Sequence, residues 1–191
     1  MPSWITSIGR SSFEKCTSLT EIKLPPSLTN IDHDAFLGCI SLNEIEIPST
    51  VDNIGSCAFR NCVSLSSIKI PLTVTQISIG MFRACSNLKQ ILLPPSLKTI
   101  ESASFYGCRS LKEIKIPSSV ETIGDGVFTK CSFLSELIIP PSVTSIGRFC
   151  FNECTSLKYI SLPSSIQIIE EGLFSECRSL QQVAIVNPLI S

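Results

Sequence analysis

The chain of 191 residues contains one histidine, one tryptophan, two methionines and two tyrosines. A lone His33 excludes a metal centre built from several imidazoles and leaves serine or cysteine nucleophiles without a ready general base. Charge is scarce, at 16% of residues, and balanced: 15 lysines and arginines stand against 16 aspartates and glutamates, with no run of either sign. Such a chain carries no field suited to nucleic acid or an anionic membrane. No apolar run is long enough to span a bilayer, because proline interrupts the hydrophobic residues throughout. The opening Met-Pro-Ser-Trp-Ile has neither the basic region nor the apolar stretch of a secretory signal. N-glycosylation acceptors, a glycine-rich phosphate loop and a paired-carboxylate arrangement are missing as well. At 43% hydrophobic, the chain still has ample material for a folded core.

Repetition is what the sequence has in abundance. Cysteine returns every 23 residues, at Cys16, Cys39, Cys62, Cys85, Cys108, Cys131, Cys154 and Cys177. A phenylalanine stands three positions before each, from Phe13 to Phe174, and a leucine three positions after each, from Leu19 to Leu180. A strict period of this length implies a stack of like turns, in which each unit covers its apolar face with the next. One domain over residues 1–191, of about eight such units, is expected. Ile5 and Ile8 match Leu28 and Ile31, and Leu189 matches Ile166, so neither end shows a distinct polar capping unit.

Within a unit the residues predict their own conformations. Alternation in Glu113-Ile114-Lys115-Ile116 is the period-two signature of a strand with one buried face. Equivalent segments at 21–24, 44–47, 67–70, 90–93, 136–139, 159–162 and 182–185 predict one parallel sheet with one short strand per turn. Proline follows each from Pro25 to Pro163 and ends the strand, having no N–H for the ladder. The last unit departs, with Val186 at that position and Pro188 two residues later. A second apolar pair, Val120 and Ile123 in this unit, predicts a short extended segment on the opposite side of the stack. Glycine at Gly55, Gly124 and Gly147 is read as permitting a turn, and the small residue before each phenylalanine as part of a single helical turn.

The pattern Cys-x-x-Leu-x-x-Ile-x-Ile resembles the leucine-rich repeat. The run from Ile116 to Cys131, Ile-Pro-Ser-Ser-Val-Glu-Thr-Ile-Gly-Asp-Gly-Val-Phe-Thr-Lys-Cys, is similar more narrowly to the BspA-like subfamily, and the likeness extends from Ile5 to Leu189. The resemblance implies a leucine-rich-repeat solenoid: a right-handed coil of short parallel strands on a concave face, with little helix. It also implies a surface or secreted protein that adheres to a host or matrix protein; a glycan is the lesser alternative. The missing secretory signal leaves a cytoplasmic location open.

The cysteines invite a disulfide or zinc reading, but the closest spacings are Cys57 to Cys62 and Cys150 to Cys154, with a single histidine. In-register thiols on successive turns point in parallel, so a ladder of buried, reduced thiols is expected. Cys150 falls at the small-residue position of Ala35 and Ala58 and reads as core; Cys57, at a variable position, reads as the exposed thiol. The phenylalanines read as a packing spine. Ser18, Ser41, Ser64, Ser110, Ser156 and Ser179 read as turn residues whose hydroxyls satisfy backbone groups. His33 occupies a variable position and reads as surface.

Function is then left to the outward strand positions, which vary while the scaffold repeats. Glu21/Lys23, Glu44/Glu46 and Ser67/Lys69 lead; Gln90/Leu92, Glu113/Lys115, Glu136/Ile138, Tyr159/Ser161 and Gln182/Ala184 follow. From the fourth unit on, Leu92, Ile138 and Tyr159 are apolar where water is expected, which marks a candidate contact patch for a protein partner. No cofactor, catalytic group or metal ligand is assigned. The alternative is a scaffold whose ends stack on other copies.

Overall fold

The computed structural model describes residues 1–186; Pro188 and Leu189 lie outside the described residues. It is a parallel β-solenoid of about eight turns with no helix among those residues. The strands in chain order are β1 (Ser7–Ile8), β2 (Asn30–Ile31), β3 (Asn53–Ile54), β4 (Ser67–Lys69), β5 (Gln76–Ile77) and β6 (Gln90–Leu92). They continue as β7 (Thr99–Ile100), β8 (Thr122–Ile123), β9 (Glu136–Ile138), β10 (Ser145–Ile146), β11 (Tyr159–Pro163) and β12 (Gln182–Val186). Every pairing is parallel and joins residues 23 apart, as Ile160 with Val183 and Ile100 with Ile123.

The two-residue strands make the second extended segment that the Val-x-x-Ile pairs predict, in sheets ordered β1-β2-β3 and β10-β8-β7-β5. The face predicted as one continuous sheet is instead two: β4-β6 and β12-β11-β9. Segments 44–47 and 113–116 alternate exposed with buried residues, and 21–24 exposed with half-buried ones, but none of the three forms a strand. The three that leave the ladder each carry two charged outward side chains, Glu21/Lys23, Glu44/Glu46 and Glu113/Lys115. Those that pair carry one or none. At 113–116 the in-register pair Glu113 and Glu136 sets like charges opposite one another at strand spacing, which disfavours pairing; Lys23 with Glu46 and Glu46 with Lys69 are opposite in sign, so repulsion does not account for the first two segments.

Packing follows the repeat. Phe36, Phe59, Phe82, Phe105, Phe128 and Phe151 are fully buried, and each ring stacks on the next at 5.4 to 5.8 Å between centroids with nearly parallel planes. Seven thiols are buried, and all ten cysteines are unpaired. Each thiol of the 23-residue series from Cys39 on also donates to the carbonyl of the phenylalanine 26 residues earlier, as Cys39 Sγ to Phe13 O at 3.0 Å and Cys177 Sγ to Phe151 O at 2.9 Å. The thiol thus fills space as a small apolar group and satisfies a buried acceptor at once. Burial pushes Cys39 up to about 11 and Cys85 and Cys150 up to about 12. The exposed thiol is Cys16, in the first turn; Cys57, expected in that role, is half-buried with its Sγ against Gly80.

The predicted helical turn before each phenylalanine is not there, and the hydrogen bonds show why. Residues two before and two after every phenylalanine have positive φ, as Asp34 (57°) and Gly38 (72°) around Phe36. Eleven of these sixteen positions are not glycine. This alternation turns every second amide toward the following turn: the N–H groups of Asp34, Phe36 and Gly38 donate to the carbonyls of Ser56, Ala58 and Arg60 at 2.7 to 3.0 Å. Intervening amides close locally, as Leu37 N–H to Asp34 O at 3.0 Å. A helical turn would aim all its N–H groups back along its own axis and leave the next turn's carbonyls unpaired. The backbone strain, about 1 kcal/mol per non-glycine residue, is offset by that ladder.

Two further expectations are corrected. Gly55, Gly124 and Gly147 do not have positive φ; they stand where a Cβ would meet the preceding turn's backbone, at 2.5 Å from His33 N, 2.7 Å from Ser102 N and 2.5 Å from Asp125 N. Close approach, and not turn geometry, requires them. The serines two places after the repeat cysteines make no side-chain hydrogen bond among the described residues. That part is played two places after the proline, where Ser27, Thr50, Ser119, Ser142 and Ser165 donate to a carbonyl 22 residues earlier at 2.6 to 2.7 Å.

Three outcomes follow. Gly147→Ala is expected to cost about 1–3 kcal/mol in urea unfolding, whereas Gly9→Ala, whose Cβ meets only Ser12 Oγ at 3.5 Å, costs little; equal costs would refute the close-approach argument. Because the buried thiols ionise later folded than unfolded, where the value is about 8.5, their contribution is complete below that pH and declines as pH rises toward about 11–12. Cys85→Ala should therefore flatten the alkaline fall in stability, and an unchanged slope contradicts the assignment. Replacing Glu113 with Gln and Lys115 with Thr should close the ladder, seen as slower hydrogen exchange of amides 113–116; exchange as fast as before would show that charge is not what opens it.

Candidate functional site

Alternation in the strands places one column of side chains in the core and leaves its neighbours in water. Along β9 the pattern runs exposed, buried, exposed, with Leu137 in the core between Glu136 and Ile138. In the same way Ile91 is buried between Gln90 and Leu92, and Ile160 beneath Tyr159 and Ser161. Gln90, Leu92, Glu113, Lys115, Glu136, Ile138 and Tyr159 are all exposed and Ser161 is half-buried. The apolar members are open to solvent, with Leu92 64%, Ile138 76% and Tyr159 50% exposed.

The structure brings four of the eight together. Register sets Tyr159 opposite Glu136 and Ser161 opposite Ile138, and on the other side Tyr159 opposite Gln182 and Ser161 opposite Ala184. These six line a shallow depression floored by Leu137 and Ile160. It exists because small side chains at Ser161 and Ala184 lie between and beside larger ones at Ile138 and Tyr159. The phenol is steered by the residue leading into the next strand: Tyr159 Oη and Gln181 Oε1 are 3.0 Å apart, with the hydroxyl donating. Gln90 and Leu92 sit farther along on β6, separated from this group by the unpaired segment of Glu113 and Lys115. Gln181 and Gln182 are the contributors that reasoning from apolar residues alone passes over; the signal for them is the 23-residue register with Lys158 and Tyr159.

Chemistry beyond contact has little to work with here. Among the described residues no group of three or more histidine, cysteine, aspartate or glutamate side chains gathers to hold a metal. His33 is exposed, away from the sheet face, and its Nδ1 accepts the N–H of Ser56 at 3.2 Å. A second shallow depression, on the opposite side, is lined by Glu101, Ser102, Asp125 and Gly147 among others. There Asp125 Oδ1 accepts the N–H of Arg148 at 2.8 Å, so the carboxylate already serves the backbone. No helix among the described residues is long and apolar enough to cross a membrane.

The repeat geometry has known counterparts. A leucine-rich repeat protein from Bacteroides ovatus is 35% identical and superposes with a TM-score of 0.92 over 98% of this chain and 48% of its own. The T. pallidum leucine-rich repeat protein TpLRR is 34% identical, with a TM-score of 0.70 over 72% of this chain and 64% of its own. The pneumococcal vaccine antigen PcpA, 24% identical with a TM-score of 0.63 over 98% of this chain and 56% of its own, shares the fold. The chain thus spans about half to two thirds of the length of these proteins. No curated protein matches its sequence. The profile of the BspA type leucine-rich repeat region matches in six copies, over residues 6–135 and 98–191. With the whole array matched and the solenoid reproduced, the chain belongs to the BspA-type leucine-rich repeat family.

Proposed function

We propose that the chain is a non-catalytic recognition module that binds a protein partner on its sheet face, in an adhesive role at the cell surface or in a secreted protein. The family supports the class of activity, since leucine-rich repeats present broad, rigid surfaces in place of reactive clefts. One observation carries the choice of face: Ile138, 76% exposed, lies beside half-exposed Tyr159 across a depression on the three-stranded sheet β12-β11-β9. Scattered exposed hydrophobics are ordinary on any surface. Here two of them share one depression and a third, Leu92, lies on the same face, at positions that the repeat leaves free to vary.

Binding would work by presentation. The ladders hold the strand backbone still, so little ordering entropy is lost when a partner docks. An apolar side chain of the partner would enter the depression against Leu137 and Ile160, with the Tyr159 ring as its wall. The charged neighbours would contribute selectivity more than affinity.

The test is binding of the chain and of a Leu92→Ser/Ile138→Ser/Tyr159→Ser variant to a panel of purified extracellular-matrix proteins. Tight binding by the unaltered chain, weakened about tenfold or more in a variant with the same circular dichroism, is the expected result. Unchanged binding in the variant removes the face from consideration.

A further inference from the structure

The charge on the sheet face is not neutralised within the chain. Elsewhere, neighbouring turns are joined by ion pairs: Lys98 to Glu121 at 2.9 Å, Lys130 to Glu153 at 3.6 Å and Arg148 to Glu171 at 3.8 Å. On the face, Lys69 and Lys115 at outward strand positions, and Lys89, Lys112 and Lys158 at the residue leading into the strand, are all exposed. Not one of the five pairs with a carboxylate among the described residues. Glu113 and Glu136 lie among them and are equally unpaired. Five lysines against two glutamates make the face over turns three to seven +3, on a chain whose net charge is −1. The first two turns reverse the sign, with Glu21, Glu44 and Glu46 against Lys23.

The arrangement is ordered along the axis as well. One outward column reads Lys69, Leu92, Lys115, Ile138 on four successive turns, cation and apolar group alternating at a spacing of about 4.8 Å. Lys89 and Lys112 flank it on neighbouring turns. Like charges on neighbouring turns repel; an anionic partner relieves that repulsion on docking. A sulfated glycan would satisfy the lysines but leave Leu92 and Ile138 with nothing to cover them. An acidic protein segment answers both.

Building on the recognition face proposed above, we infer that its partner is a protein segment rich in aspartate and glutamate, with apolar side chains interspersed, seated over turns three to seven. The glutamates of the first two turns keep such a segment from shifting toward them, which sets its position along the axis.

A displayed random-peptide library selected on the immobilised chain tests this, with the enriched peptides then synthesised and titrated. Acidic peptides carrying aliphatic or aromatic residues are expected, with affinity weakened about tenfold by Lys89→Glu/Lys112→Glu and by raising salt from about 50 to about 500 mM. Arg60→Glu, on the turn side of the solenoid, should leave affinity unchanged. Enrichment of neutral or basic peptides, no enrichment, or binding of heparin in preference to the peptides overturns the inference. If the lysine reversal is without effect while Leu92→Ser/Ile138→Ser/Tyr159→Ser abolishes binding, the acidic partner falls and the face stands. Indifference to both sets of changes removes both.

Discussion

Each turn can exist only if its backbone polar groups find partners on the turn beside it, and this requirement shapes everything else in the solenoid. A single 23-residue unit has no element that closes on itself. Its strands are two to five residues long, and its corners consist of turns whose alternate amides point outward. Neighbouring turns supply the partners at offsets that recur from turn to turn: 23 residues for the phenylalanine stack, 26 for the thiol-to-carbonyl bonds and 22 for the hydroxyls after proline. One inserted residue in any turn would set all of these out of register together. The invariance of phenylalanine, cysteine and leucine through the chain is the trace of that demand.

The regular part of the structure is legible because it is periodic. Burial alternation names the core side of every strand, the 23-residue offset gives the pairing, and the Val-x-x-Ile pairs reveal the second line of strands. Where reasoning from residues falls short, the deciding quantity is not periodic or not carried by side chains. Whether 113–116 pairs with its neighbours depends on charges one turn away, not on its own alternation. The left-handed residues around each phenylalanine include Lys15, Asn61, Ala84 and Phe149, and no residue preference exposes a conformation that the next turn's carbonyls impose. Gly147 looks like a turn glycine until Asp125 is found where its Cβ would be. For the candidate surface, the exposure of Leu92, Ile138 and Tyr159 can be read from position alone. The depression between strands, and the link from Tyr159 to Gln181, need the register and the sizes of three adjacent side chains at once.

Surface charge separates the molecule into regions of different use. Away from the sheet face, Lys98, Lys130 and Arg148 each pair with a glutamate on the next turn, adding little stability at exposed sites. On the sheet face the same residue types stand alone. Thiols and rings hold the interior, ion pairs dress the far side, and the sheet side keeps its charges and three apolar groups available.

The corner amides of each turn donate forward, as Phe36 to Ala58, whereas those leading into the strands donate back, as Lys89 to Ser66 and Lys158 to Ser135. Their peptide dipoles therefore oppose one another, and the solenoid accumulates no macrodipole of the kind a long helix builds. Lengthening such an array adds surface without adding an axial field. The potential that an approaching molecule feels is written turn by turn in side chains alone, so it can be revised at one repeat without being altered at the others.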